Sequence, residues 1–146
     1  MMVDAEDLVI RKTVYVDASP EHAFDVFTGG LGDWWPVATH SHGGGQVAAD
    51  WRVGGVVTET VGGQVHQWAD VLEYDPPREL LLRWRVTPGN PATELRLRFV
   101  PDGERTRVEL THAGWEAYPD GGLKPFGGYS SGWETVLGHY TSHVNG

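Results

Sequence analysis

The stretch FGGYSSGWETVLGHYTSHV, residues 126–144, decides how the chain folds. At helical spacing Phe126, Tyr129, Trp133, Val136, Leu137, Tyr140 and Val144 fall on one face. Ser130, Ser131, Glu134, Thr135, His139 and Ser142 fall on the other. This predicts one amphipathic helix with an aromatic stripe. Almost everything before it reads as short strands. The expected fold class is therefore α+β, a curved antiparallel sheet wrapped around a long C-terminal helix. That arrangement leaves a pocket between sheet and helix.

The strands are read from alternation. Residues 8–16 alternate and are rich in β-branched side chains, which predicts a first strand. Ser19 is a good N-cap, Pro20 suits the first helical position, and Glu21 complements the helix dipole. A short helix is expected over 20–28, burying Ala23, Phe24 and Phe27 and ended by Gly29-Gly30. Residues 31–36 form a second short helix or turn stopped by Pro36. Residues 37–45 read as a strand or a loop. Six strands follow, over 46–52, 56–61, 64–74, 80–87, 93–100 and 105–112, separated by glycine- and proline-bearing turns. Leu80, Leu82, Trp84 and Val86 share one face, as do Leu95, Leu97 and Phe99, and Val108, Leu110 and His112. Arg83, Arg85, Glu94, Arg96, Arg98, Arg107 and Glu109 share the solvated face. A sheet with one apolar face needs a cover, and only the last helix is long enough. Residues 114–125 read as a glycine-rich linker.

Composition narrows the function. The chain has 146 residues, read as a single domain over 1–146 with its core at 8–144. A chain of this size buries roughly 68–70% of its unfolded surface. Seven tryptophans, five tyrosines and four phenylalanines supply large rings that fill cores and line small-molecule pockets. The net charge of −9, without any Lys/Arg run, argues against nucleic acid and anionic membrane surfaces. There is no cysteine, which excludes disulfides, thiolate catalysis and Cys-ligated zinc. The acidic first seven residues lack the pattern of a signal peptide, and no apolar run approaches the ~20 residues of a membrane span. A soluble, cytoplasmic protein without membrane insertion is expected. No nucleophile elbow, phosphate loop or dinucleotide fingerprint is present, and no cofactor is expected.

A set of landmarks then stands out in order. They are Trp34-Trp35-Pro36, Gly54-Gly55 with Glu59, Trp68, Val71 with Asp75-Pro76-Pro77-Arg78, Leu80 to Trp84, TRVELTHAGW at 106–115, and Gly132-Trp133 with Leu137. Together they resemble the START-like, helix-grip (SRPBCC) superfamily, in the branch named after the activator of heat-shock-protein-90 ATPase homologue. The resemblance runs over about residues 8–144. It implies the helix-grip fold. It also implies a range of roles: binding hydrophobic or amphipathic ligands, cyclising polyketides, or stimulating a chaperone. Ala69 departs from the glycine usual after the tryptophan, and the lead-in to the last helix is short.

The candidate ligand-binding residues are Trp34, Trp35, Glu59, Trp68, Trp84, His112, Tyr129 and Trp133. Each ring has a plainer reading as core. Trp34 and Trp35 sit beside glycines, where a lid over the pocket would lie. Tyr129, one turn from Trp133, brings a hydroxyl that needs a partner if buried. Glu59 shares a face with Val57 and Val61. It either points inward, where a carboxylate must be paired or hydrogen-bonded, or in the other register lies solvated beside Arg52 or Arg83. His112 is in phase with Val108 and Leu110, as a satisfied core histidine or as a ligand contact. His40 and His42 form a His-x-His pair that a metal could use with His66, Asp50 or Glu59; a polar loop is the simpler account, and no metal is expected.

Three functions follow. The first is binding of a small apolar or aromatic ligand, with Glu59, His112 and Tyr129 supplying polar recognition. The second is a cyclase- or hydrolase-type enzyme using Glu59 and His112 as an acid/base pair. The third is a co-chaperone-like activator whose partner is a chaperone. A homodimer is compatible with all three.

Overall fold

A computed structural model describes residues 8–36, 40, 45–85, 89–118 and 123–146. The elements run β1 (Ile10–Val16), α1 (Pro20–Thr28), α2 (Leu31–Trp34), β2 (Gln46–Ala49), β3 (Val56–Val61), β4 (Gln64–Asp75), β5 (Glu79–Trp84), β6 (Thr93–Asp102), β7 (Arg105–Ala113), a 3₁₀ turn (Trp115–Ala117) and α3 (Leu123–Asn145). All strands pair antiparallel in one sheet of order β1-β7-β6-β5-β4-β3-β2. The sheet curls into a half-barrel around the C-terminal helix, the α+β helix-grip architecture expected from the sequence.

Local chemistry explains the ends. The Ser19 hydroxyl accepts the His22 N–H at 3.2 Å, with Pro20 at the first helical position of α1. Ala23, Phe24 and Phe27 are buried. At the far end of the chain, Asn145 Oδ1 accepts the Asp17 N–H at 2.8 Å, tying the end of α3 to the segment between β1 and α1. Trp133, Val136, Leu137 and Tyr140 form the buried face of α3, while Ser131, Glu134, Thr135, His139 and Ser142 are exposed. The Tyr140 hydroxyl donates to the Ala23 carbonyl at 2.7 Å, so α3 also fastens α1.

The alternation in β5–β7 holds. Leu80, Leu82, Trp84, Leu95, Leu97, Phe99, Val108, Leu110 and His112 are all buried. Val86 lies outside the described residues. On the convex face Arg96 bridges Glu73 and Glu79, Arg98 reaches Glu79, and Arg107 reaches Glu109. Pairs this open to water contribute little stability and mainly keep the face wetted.

Three departures from the sequence reading bear on the site. The strand expected over 46–52 stops at Ala49, because the chain turns tightly into β3: the Arg52 N–H bonds the Asp50 carbonyl at 2.9 Å and the Gly55 N–H bonds that of Arg52 at 2.9 Å. Gly55 is required there, since a Cβ would collide with the Asp50 carbonyl oxygen. The linker expected over 114–125 is shorter. Gly114, at φ +97°, turns the chain into the 3₁₀ segment, and α3 already begins at Leu123. Trp115 in that segment is fully buried rather than a linker side chain.

The third difference is a β-bulge. Val57 pairs with Ala69 but Thr58 pairs with Gln67, so Trp68 is the extra residue. Strict alternation with inward Ala69 and Val71 would send Trp68 to solvent. The bulge breaks the phase and turns it into the core, where it packs against Trp35 and Trp84 at ring-centroid distances of 5.1 and 6.0 Å.

Candidate functional site

The concave face of the sheet carries a continuous array of rings. Trp35 stands at its centre, 5.1 Å from Trp68, 6.1 Å from Trp84 and 6.0 Å from Trp133. Trp84 and Trp133 are 5.4 Å apart. Tyr129 stacks on Trp133 at 6.5 Å and meets the His112 ring edge-on at 5.0 Å. Trp34 joins from the other side, 5.8 Å from Trp35, and packs on Phe27 and Tyr140. Strands β4 and β5 thus supply the floor, α2 one wall and α3 the roof. Among the described residues, one cavity between them, bounded by Phe27, Leu31, Trp35, Trp51, Val57, Leu82, Trp84, Leu95 and Trp133, measures about 10 Å³, about the room one water needs.

His112 is fully buried, and both ring nitrogens are engaged. The Trp133 indole N–H donates to Nδ1 at 3.0 Å. An indole nitrogen can only donate, so Nδ1 carries no proton and the neutral ring holds it on Nε2. Nε2 lies 2.6 Å from the Thr93 hydroxyl, which therefore accepts from it and turns its own hydrogen toward the Trp84 carbonyl at 3.3 Å. The result is one directed chain from Trp133 through His112 and Thr93 to the backbone of β5. Burial pushes the His112 pKa down to about 3, because a charged imidazolium there would lose its water. Thr93 and Trp115, whose indole donates to the His112 carbonyl at 3.1 Å, belong to this arrangement and were not singled out in the sequence. The Trp-after-glycine at 114–115 was the available signal.

Glu59 also points inward and is fully buried, in the register that sets it beside Val57. Its carboxylate accepts the Gly45 backbone N–H at 2.9 Å, fixing the entry to β2. Glu59 and His112 are on β3 and β7, with β4, β5 and β6 between them. At about 4.8 Å per strand they lie at opposite flanks of the concave face, with Trp68 and Trp84 between.

The remaining indoles divide sharply. Trp34 donates to the Val26 carbonyl at 2.9 Å and Trp35 to the His40 carbonyl at 2.8 Å. The Nε1 atoms of Trp68 and Trp84 are buried and meet no acceptor at hydrogen-bond geometry among the described residues. The Tyr129 hydroxyl lies near the Trp84 indole without forming a proper hydrogen bond to it, and burial raises its pKa. His42 lies outside the described residues. Among the described residues no group of three or more His, Cys, Asp or Glu is placed to hold a metal, and no helix is long and apolar enough to cross a membrane.

The family described as "Activator of Hsp90 ATPase homolog 1-like protein" matches residues 17–144. Among solved structures, the chain is similar to an anthrahydroquino-γ-pyrone synthase, Txn09, complexed with SUM: 35% identity, 84% of this chain and 86% of that one, TM-score 0.54. It is also similar to CalU16 from Micromonospora echinospora, at 24% identity, 93% and 72% coverage and TM-score 0.65. A third is the Aha1 dimer from Colwellia psychrerythraea, at 21% identity, 99% and 97% coverage and TM-score 0.67. The last two, at such identities, bear on the fold alone. Among curated proteins none matches this chain.

Proposed function

Starting from a chain that belongs to the family of Activator of Hsp90 ATPase homolog 1-like proteins, we propose that it binds a small aromatic or otherwise hydrophobic molecule between the concave sheet face and α3. The observation that carries this is the ring array of Trp35, Trp68, Trp84 and Trp133, edged by Tyr129 and His112. Large, stiff, flat side chains on several elements make apolar walls at small entropic cost. The relative described as a synthase of an anthrahydroquino-γ-pyrone, at 35% identity, supports an aromatic ligand. Among the described residues the cavity beside Trp35, Trp84 and Trp133 is about 10 Å³, too small for such a molecule, so a ligand seated at that point would have to part the rings of Trp35 and Trp133 from those of the sheet.

Native mass spectrometry of the purified protein, compared with the same sample after denaturing extraction, tests this reading. An added mass that survives gentle conditions and leaves on denaturation is expected. The bare chain mass, with no uptake from a mixed lipid and aromatic library, would sink it.

A second reading is an enzyme of the cyclase type. Glu59 favours it, as a carboxylate wholly removed from solvent on the same concave face. Both ring nitrogens of His112 are already hydrogen-bonded, to Trp133 and Thr93, which leaves Glu59 to carry proton transfer. Equal turnover by wild type and Glu59→Gln, for a substrate found by the uptake screen, would end this reading. Self-pairing is tested by the oligomeric mass in the same spectra, and a chaperone partner, which rests on family membership, by the ATPase rate of a purified Hsp90 with and without this protein.

A further inference from the structure

Two inner indole nitrogens are treated differently from their neighbours. Trp34, Trp35, Trp115 and Trp133 each spend the indole N–H on a carbonyl or on His112. Trp68 and Trp84 are only 1% and 4% exposed, yet neither N–H makes a hydrogen bond of full geometry among the described residues, the Tyr129 hydroxyl being the acceptor that lies near Trp84. A buried donor without a partner forfeits the hydrogen bond it had with water, and native interiors keep few such groups.

The two are not scattered. Trp84 pairs across the sheet with Ala69, directly next to Trp68, and the two rings are 6.0 Å apart. Both face Trp35. Trp68 reaches this position only because the bulge turns it inward. Phenylalanine at either position would supply an apolar ring with no polar cost. The array therefore holds two adjacent donors on the very wall that the ligand reading assigns to the pocket.

We propose that the indole N–H groups of Trp68 and Trp84 donate to oxygen acceptors of the bound molecule, so that the ligand is a planar aromatic compound bearing carbonyl oxygens rather than a plain hydrocarbon or acyl chain. This rests on the pocket reading above and names its ligand class. The rings give shape and apolar area. The two N–H groups give the polar recognition that a flat hydrocarbon cannot return, and a site with buried donors discriminates against analogues that leave them unpaired.

The test uses two probes with one skeleton and one charge, anthraquinone-2-sulfonate and anthracene-2-sulfonate, titrated by calorimetry. The wild-type protein is expected to bind the quinone about 10-fold more tightly or better, the size of one or two hydrogen bonds. Trp68→Phe and Trp84→Phe are each expected to lower quinone affinity about 10-fold and to leave anthracene affinity within about twofold. In ¹⁵N–¹H spectra, the two indole signals lost in these variants should move downfield with the quinone alone. Equal affinity of the wild type for both probes would overturn the proposal while leaving the pocket standing. Failure of both probes to bind would remove the pocket reading and this inference with it. The wild-type comparison needs no variant to fold.

Discussion

The indole of Trp133 donates to Nδ1 of His112 at 3.0 Å, the one side-chain hydrogen bond that joins α3 to β7 among the described residues. It orients the imidazole, and through Nε2 it orients the Thr93 hydroxyl on β6. Removing the donor strands a buried acceptor. Trp133→Phe should lower the unfolding free energy by about 2–3 kcal/mol, from the unpaired nitrogen and the smaller ring. In a urea double-mutant cycle with His112→Leu, the two losses should fall short of adding by about 1 kcal/mol or more. Additive losses would mean that the bond contributes nothing.

His112 also sets a pH dependence. Its folded pKa, about 3, lies below the ordinary 6.5 that it regains on unfolding. Between these values the unfolded chain binds a proton that the folded one refuses. Stability is therefore complete above pH 6.5 and is lost as the pH falls toward 3. From pH 7 to pH 5 the loss from this group should be about 2 kcal/mol. His112→Gln, which keeps an acceptor for Trp133, should show a correspondingly shallower decline in urea midpoint. Parallel declines would place the proton uptake elsewhere.

The Tyr140 hydroxyl, buried and bonded to the Ala23 carbonyl at 2.7 Å, joins α3 to α1. Burial pushes this phenol's pKa up, so it stays a donor throughout the neutral and mildly alkaline range. Tyr140→Phe should cost about 1–2 kcal/mol and lower the thermal midpoint without changing ligand uptake. An unchanged midpoint would show that water replaces the hydroxyl.

Gly55 answers to sterics alone. Its missing Cβ makes room for the Asp50 carbonyl, and its own carbonyl accepts the Val71 N–H at 2.9 Å. Gly55→Ala must displace backbone on the β2–β3 turn, so a loss of about 2 kcal/mol or more is expected. Gly62→Ala makes a useful contrast. It meets no atom but sits at φ +55°, so its cost is conformational and should be nearer 1 kcal/mol. Similar losses in the two would contradict the clash.

What could be read from the sequence followed the regular parts of the sheet. Leu95, Leu97 and Phe99 alternate with Glu94, Arg96 and Arg98 because one face is buried and the other wet, and that pattern needs no coordinates. Glu59 was in phase with Val57, but its inward direction became certain only with the strand register. Trp68 defeats alternation: one skipped residue in the pairing with β3 reverses its face, and nothing in GQVHQWAD marks the skip. His112 was legible as a buried ring. Its proton was not, because the partners Trp133 and Thr93 are 21 and 19 residues away along the chain and meet it only through the fold.

The crowding of indoles has an optical consequence. Neighbouring rings among Trp35, Trp68, Trp84 and Trp133 stand 5.1–6.1 Å apart, with ring planes tilted by 40–86°. Chromophores so close and so skewed share their excited states. The folded protein should show intense near-ultraviolet circular dichroism with paired bands of opposite sign, and light absorbed by one indole should migrate among the others before emission. Any event that parts these rings, whether a guest between them or a strained turn at the edge of the sheet, should uncouple the bands, making the array a built-in reporter of its own opening.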